Sequence, residues 1–341
     1  MRVAVMTKTK LIIDTDGVAD DIRAICIAMQ HPDILAFTTT HGCVSIIQAA
    51  ANVARAQRAN KLQKNIPIYK GATRSFIKKE EEPDESFFFG KDGIGGAPKD
   101  FPEVLESDFN CCEDEVAALA LIRLFKEHPD TTLVCLGPLT NVALALKLDD
   151  AFKRLPKKVV IMGGNYYAIG NVHSFSSSEF NFFGDPEAAS IVLSEMESPL
   201  TLVPWEAHCI DGVRHEKEVD FHAHLSLDSP LASFLSTVSS VCRAEYAKSG
   251  RQYAFCDEIA VCTAIDPEGT VVEKKEFRVS VELAGTFSRG QVVVDWTEKL
   301  WEGEGSEGIV DKNRRPVTFV TGYNAKHVER LVRNAVNNVK W

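Results

Sequence analysis

The chain of 341 residues has no run that approaches the roughly 20 consecutive apolar residues of a membrane-spanning helix. Residues 1–8 also lack the apolar core of a signal peptide. The nine cysteines show neither CxxC pairing nor regular spacing, which favours a reducing compartment over a disulfide framework. The sequence therefore predicts a cytoplasmic location and no membrane partner.

A basic excess is also absent, because 38 lysines and arginines stand against 48 aspartates and glutamates, for a net charge of −10. Binding to a nucleic-acid polymer requires a positively charged surface, so this balance argues against such a partner. Part of the acidic excess lies in residues 78–85, whose charge run is typical of a solvated loop. We expect a small-molecule ligand instead.

Hydrophobic residues make up 45% of the chain, and strand-like and helix-like segments alternate along it. This pattern predicts an α/β fold: an open, mostly parallel, Rossmann-like sheet flanked by helices, with a small C-terminal antiparallel portion, in a single domain of residues 1–341. The predicted strands are 11–14, 34–40, 66–69, 132–136, 158–162 and 200–203, then 271–283, 291–294 and 317–320 in the antiparallel portion. The predicted helices are 22–30, 46–60, 116–126, 139–147, one that restarts at 185–187, most of 216–248, 257–264 and 325–339, and residues 71–110 form a long loop.

Four aspartates, Asp14, Asp16, Asp20 and Asp21, lie close together directly after the apolar residues 11–13. Unpaired carboxylates this close repel one another, whereas clusters of oxygen ligands are what hard divalent cations select. In an open α/β sheet the carboxyl ends of the strands are where ligands bind. The cluster predicts a metal site there. The alternative is that Asp20 and Asp21 only stabilise a helix N-terminus, which leaves the other two unexplained.

The same segment is also similar to the DxDGV motif of haloacid-dehalogenase phosphatases, in which Asp14 would be the nucleophile of a magnesium-dependent reaction. That family also needs a second acidic pair. The candidate here, Asp185, has no acidic partner of the required kind, so this alternative is weaker.

Several motifs follow one another in a more specific order. They are the aspartates of residues 14–21, Gly-Pro-Leu-Thr-Asn at 137–141, Ile-Met-Gly-Gly at 161–164, Gly-Asn at 170–171, and Glu-Phe-Asn at 179–181 followed by Asp-Pro-Glu at 185–187. In this order they resemble the nucleoside hydrolase family of the inosine-uridine preferring type. The resemblance implies hydrolysis of the N-glycosidic bond of ribonucleosides to free base and ribose, with Ca²⁺ as cofactor, in a homodimer or homotetramer.

The resemblance also implies a role for each matching residue. Calcium would be held by Asp16, Asp21, Asp257 and the backbone carbonyl of Leu136, which suits an ion that takes six to eight oxygen ligands. Asp16 would also be the general base that activates water. The substrate-binding residues that the resemblance implies are Asp20, Met162, Asn171, Glu179 and Asn181. For Asn171 and Asn181, use in turns or helix caps is the alternative.

The chain departs from the family pattern at two positions, because Cys43 and Cys256 stand where other members often carry Asn and either His or Trp. A thiol is mostly protonated at neutral pH, so either cysteine could assist the departing base. The alternatives are that both thiols only fill space, that they form a disulfide on oxidation, or that the protein binds nucleosides without turnover. The candidates for stacking on the base are Phe89, Trp205, His208 and Tyr246, with Tyr253 as a similar case, and for each of them packing in the core or exposure at the surface is the alternative.

Overall fold

The computed structural model describes residues 9–30, 33–62, 65–77, 86–172, 176–299 and 314–338. The acidic run at 78–85 and the N-terminal residues 1–8 lie outside these ranges, as does the end of the last predicted helix. The strands are β1 (Lys10–Thr15), β2 (Ile34–Thr39), β3 (Ile68–Lys70), β4 (Thr131–Cys135), β5 (Lys158–Met162), β6 (Leu200–Val203), β7 (Val271–Phe277), β8 (Val279–Val281), β9 (Val292–Val294) and β10 (Val317–Tyr323).

Helices cover both faces of the sheet. They are α1 (Ala19–Ala28), α2 (Ile46–Ala59), α3 (Ser86–Phe89), α4 (Ala117–Glu127), α5 (Thr140–Leu148), α6 (Phe180–Gly184), α7 (Pro186–Glu195), α8 (Gly212–His215), α9 (Pro230–Val238), α10 (Ser240–Ala247), α11 (Asp257–Ile265), α12 (Pro267–Thr270) and α13 (Ala325–Val336). In the described part of the chain, none of them is long and apolar enough to span a bilayer.

The main sheet has eight strands in the order β3-β2-β1-β4-β5-β6-β10-β7. Neighbours from β3 to β10 run parallel, and β7 pairs antiparallel with β10 at the edge. Strands β8 and β9 form a separate antiparallel pair. The prediction of an α/β fold with a mostly parallel sheet is therefore confirmed.

The alternation of side chains along β1 divides the core into two layers. Leu11 and Ile13 pack with apolar residues of α1, α2, α9, α11 and α13, whereas Ile12 packs with those of α4, α5 and α7. Because both faces are covered, the strands are apolar almost throughout, as expected for parallel sheets.

Three details differ from the prediction. The expected strand at 271–283 is divided between β7 in the main sheet and β8 in the small one. Strand β10 is antiparallel to β7 as expected, but it also pairs in parallel with β6. The expected helix over 216–248 is regular only from Pro230, where the Ser229 hydroxyl accepts a hydrogen bond from the Ala232 N–H (3.1 Å) and caps α9.

Strand order also determines where a ligand can bind. The chain leaves β1 for β2 on one side, and returns after β3 to place β4 on the other side of β1. This reversal opens a crevice at the carboxyl ends of β1 and β4, the position where open α/β sheets bind ligands.

Candidate active site

The turn after β1 brings the clustered aspartates to the mouth of this crevice. Gly17 adopts a left-handed conformation (φ +70°), which permits the sharp change from strand to helix. The Asp21 carboxylate accepts hydrogen bonds from the Thr15 hydroxyl and from the Val18 N–H (3.3 Å). Asp21 therefore does stabilise the start of α1, and it faces the cavity as well.

Asp16 is buried, and the loop after β2 approaches its carboxylate closely. Its Oδ2 accepts a hydrogen bond from the Cys43 N–H (3.1 Å), and a Cβ on Gly42 would overlap the Asp16 carboxylate. Burial raises the pKa of Asp16 to about 6, with Asp20 adding to the rise and hydrogen bonds from Asp21 and Cys43 opposing it. The carboxylate thus titrates close to neutral pH.

Asp14 behaves differently, since it is buried beneath the cavity and does not line it. Its Oδ1 accepts hydrogen bonds from the Thr38 hydroxyl (2.5 Å) and the Asn141 amide (2.8 Å), which join the ends of β1, β2 and α5. Asp185 is also buried, where it caps α7 and binds the Thr140 hydroxyl (2.7 Å). Neither carboxylate is presented to a ligand.

The remaining carboxylate comes from far along the chain, because α11 places Asp257 beside Asp21. We call Asp16, Asp20, Asp21 and Asp257 the acidic floor. Burial and mutual repulsion raise the pKa of Asp21 and of Asp257 well above the ordinary range. Buried oxygens of Asp257 (Oδ2) and Asp20 (Oδ1) have no hydrogen-bond partner. Such a group of carboxylates fits a divalent cation, which would neutralise their charge and occupy the unpartnered oxygens.

The ends of β4 and β5 are joined by one amide. The Asn181 side chain donates hydrogen bonds to the carbonyls of Leu136 (2.8 Å) and Met162 (3.2 Å). Each carbonyl oxygen has two lone pairs, so the bond from Asn181 leaves Leu136 a further site for a cation. Asn181 therefore fixes the two strand ends that complete the cavity.

Glu179 has a structural role that the sequence pattern did not reveal. It caps α6, and its carboxylate accepts hydrogen bonds from the backbone N–H groups of Gly164 (2.8 Å), Asn181 (2.8 Å) and Phe182 (3.1 Å). Burial nevertheless raises the pKa of Glu179 to about 7, and these three bonds only oppose that rise.

Aromatic rings face the acidic floor across the cavity. We call the aromatic wall the set Phe87, Phe88, Phe89, Trp205, Tyr246 and Tyr253. Trp205 stacks on His208 with ring centres 4.4 Å apart, and His208 Nε2 lies 2.5 Å from the Tyr246 hydroxyl. Burial lowers the pKa of His208 to about 3, so this imidazole is neutral and anchors Trp205 and Tyr246 in place.

Comparison with known proteins agrees with this geometry. A family model described as inosine-uridine preferring nucleoside hydrolase matches residues 11–330. The chain belongs to this family. The resemblance inferred from the ordered motifs is thereby confirmed, and with Asp14 and Asp185 both withdrawn from the cavity, the phosphatase alternative has no support.

Individual relatives are nucleosidases. Uridine nucleosidase 1 of Arabidopsis thaliana is 37% identical over 188 residues, which cover 54% of this chain and 53% of that protein. Pyrimidine-specific ribonucleoside hydrolase RihB of Escherichia coli (strain SE11) is 32% identical over 192 residues, 55% of this chain and 57% of that protein. The matched stretch thus spans little more than half the length of these curated relatives.

Solved structures match over a longer stretch. An inosine-guanosine nucleoside hydrolase superposes with a TM-score of 0.79 at 29% identity, covering 96% of this chain and 99% of that one. A plant nucleoside hydrolase, the PpNRh1 enzyme, superposes with a TM-score of 0.80 at 26% identity, covering 96% and 99%.

In this member of the family, one cavity of about 250 Å³ is lined by most of the site residues named from the sequence, whereas Asp14 and His208 do not line it. The named residues that line it are Asp16, Asp20, Asp21, Cys43, Phe89, Leu136, Met162, Asn171, Glu179, Asn181, Trp205, Tyr246, Cys256 and Asp257. Tyr253, weighed with the other candidates for the base, also lines the cavity, and so do Val18, Phe87, Phe88 and Phe180, which the sequence reasoning missed. The run of three phenylalanines at 87–89 in a glycine-rich region was the available signal for two of them.

A buried ion pair was also missed. Arg23 on α1 pairs with Glu258 on α11, and the two side chains are 2% and 0% exposed. Arg23 also donates a hydrogen bond to the Ala254 carbonyl (3.1 Å), while Glu258 Oε2 accepts one from the Cys256 N–H (2.9 Å). The pair therefore ties the helix that carries Asp20 and Asp21 to the segment that carries Cys256 and Asp257.

Proposed function

We propose that the chain hydrolyses the N-glycosidic bond of ribonucleosides to free base and ribose, with Ca²⁺ as cofactor. The observation that carries the proposal is the single cavity in which the acidic floor faces the aromatic wall. A ribose is rich in hydroxyl groups and a nucleobase is flat and aromatic, so a nucleoside matches the two sides of this cavity. Family membership supports the same reaction.

For the acidic floor we propose that Asp16, Asp21, Asp257 and the Leu136 carbonyl hold the calcium ion. A calcium ion bound there would lower the pKa of a water molecule and bind ribose hydroxyls. Asp16 then accepts the proton of the attacking water. A base with a pKa near the working pH is suited to this task, since it is ionised before the reaction and still takes up a proton readily.

For the sugar we propose that Asp20, Asn171, Glu179, Asn181 and the backbone around Met162 bind and orient the ribose. The Asn181 N–H donors are already engaged by two strand ends, so its amide oxygen is the atom that accepts from a hydroxyl. Fixing the sugar in this way lowers the entropic part of the barrier.

For the base we propose stacking on Phe89, Trp205 and Tyr246, and assistance to its departure from Cys256, Cys43 or both. Burial raises the pKa of the Cys256 thiol well above its ordinary value. The thiol is therefore protonated at neutral pH and able to donate a hydrogen bond to the leaving base.

We further propose a cytoplasmic single-domain protein that forms a homodimer or homotetramer. All nine cysteines are free thiols, which suits a reducing compartment. Size-exclusion chromatography with light scattering measures the oligomeric state directly.

The decisive experiment is incubation with uridine, inosine and guanosine, with release of reducing sugar measured before and after treatment with a calcium chelator. We expect sugar release that chelation abolishes and added calcium restores. D16N should lower kcat by about 10² to 10⁴ through loss of the general base. Release that survives complete calcium removal would contradict the metal mechanism, and nucleoside binding without any release would indicate a binding protein.

A further inference from the structure

A sulfur atom belongs to the same cluster as the acids. Among the residues that the structure describes, Cys256 Sγ and one carboxylate oxygen each of Asp20 and Asp257 lie within 4.8 Å of one another. Cys256 and Asp257 are buried, and they line the cavity together with Asp20. Oxygens of both aspartates lack hydrogen-bond partners, as described above. One thiol and two unsatisfied carboxylates are therefore directed at a common point.

This donor set differs in chemistry from the oxygen-only set proposed for calcium. Calcium and magnesium bind oxygen ligands, whereas sulfur ligands select thiophilic ions such as zinc. Zinc sites that remain open to a small molecule use three protein ligands at about 2.0 to 2.3 Å and leave the fourth position free. Three ligand atoms that lie within 4.8 Å of one another are close enough to share one ion.

We propose that Asp20, Cys256 and Asp257 form an alternative metal site, which shares Asp257 with the proposed calcium site and is specific for a thiophilic divalent cation of the zinc type. Binding forms a sulfur–metal bond and releases the thiol proton to solvent, with no change of oxidation state. Because all three residues line the cavity, an ion held by them would be accessible from it.

Zinc bound at this site would interfere with substrate binding, an inference that rests on the proposed function. Asp20 is the proposed ribose ligand and Asp257 a proposed calcium ligand. A zinc ion bound to both removes them from ribose and from calcium. Zinc is then an inhibitor that competes with the nucleoside and with calcium, and the thiol makes this chain sensitive to it.

The first test measures metal binding without turnover. Cobalt(II) replaces zinc as a probe, because a cobalt–thiolate bond gives a strong charge-transfer absorption in the near ultraviolet. We expect this absorption in the full-length protein, its displacement by zinc, and its loss in C256S. The matched control is C43S, which removes the other cavity thiol outside the triad and should keep the absorption. D20N should weaken zinc binding by more than about 10-fold. Even the loss of a residue that only hydrogen-bonds to a metal ligand lowers metal affinity by at least about that factor.

Retention of the absorption in C256S would overturn the proposal. If the absorption were instead lost in variants of Cys111 or Cys112, the metal-binding thiol would be one of those two neighbouring cysteines. Circular dichroism of C256S and of a second variant, C256A, establishes that loss of absorption is not loss of fold. The second test measures zinc inhibition of nucleoside hydrolysis, which should weaken by more than about 10-fold in C256S and not in C43S. If the protein hydrolyses no nucleoside, the cobalt spectrum still decides the metal site, so the two proposals fail separately.

Discussion

Removal of the Arg23 side-chain charge is predicted to destabilise the whole protein, even though Arg23 does not line the cavity. In R23M the Glu258 carboxylate stays in a position where it is 0% exposed, without its partner. Breaking a buried ion pair from one side costs about 3 to 5 kcal/mol, because the remaining charge is uncompensated. The Arg23 guanidinium also lies over the rings of Tyr253 (4.9 Å) and Phe255 (5.4 Å), whose loss adds to the cost.

The free energy of unfolding from urea titration measures this effect. The matched control is R333A, which breaks the exposed pair of Arg333 with Glu329, where the arginine is 47% exposed. Exposed pairs of this kind contribute about 0.5 kcal/mol or less. The double variant R23M/E258M should recover a large part of the stability lost in R23M, since no unpaired charge remains buried. A cost for R23M no larger than that for R333A would refute the reasoning, because the pair would then contribute nothing beyond a surface contact.

Three further predictions concern the acids and the loop that covers Asp16. In G42A the new methyl group overlaps the Asp16 carboxylate, so sugar release should fall by at least about 10². In the control G96A the methyl group meets no atom within 4 Å, so the left-handed backbone there (φ +69°) should cost some stability while sugar release stays nearly unchanged. D14N keeps an oxygen for the Thr38 and Asn141 hydrogen bonds, so kcat should stay within about 10-fold of wild type; a loss as large as that of D16N would restore Asp14 as a reacting group. The raised pKa of Asp16 (about 6) means that the metal-free folded state holds a proton that the unfolded chain has released. The thermal midpoint of chelated protein should therefore fall as pH rises from about 4, the pKa of an aspartate in the unfolded chain, to about 6, and saturating calcium should reduce this slope; an increase over that range without metal would contradict the assignment.

Much of the fold followed from the order of apolar segments, because buried parallel strands leave short, nearly continuous apolar runs. The catalytic acids could be located from the sequence for a related reason. Asp16 directly follows β1 and Leu136 directly follows β4, and strands that lie side by side bring such residues to one edge. Asp257 has no such local signal, and only the resemblance to a family placed it in the set.

The structural features that escaped prediction depend on contacts between distant segments. In the sequence, Arg23 resembles any other helix residue. Its pairing with Glu258 could not be predicted, because no periodic pattern in the sequence relates the two positions. The β7 and β8 strands were merged because Phe277, Arg278 and Val279 continue the strand-like pattern, although the chain changes sheets there. The motif that contains Glu179 was visible in the sequence, but its role as a helix cap was not. That role depends on hydrogen bonds from the backbone of Gly164 and Phe182, which only the structure shows.

The two sides of the cavity come from different kinds of structural element. The acidic floor comes from the residue after the central strand β1 and from the first turns of α1 and α11. The aromatic wall comes from the four-residue helix α3, the residues after β6, the last turn of α10 and the segment between α10 and α11. A substitution that changes packing in the aromatic wall need not disturb the sheet that supports the acidic floor. Under the proposed function, the preference for one base over another would therefore be adjustable, and substitution at Phe87, Phe88 or Trp205 would alter the choice of nucleoside while the proposed chemistry at the sugar is retained.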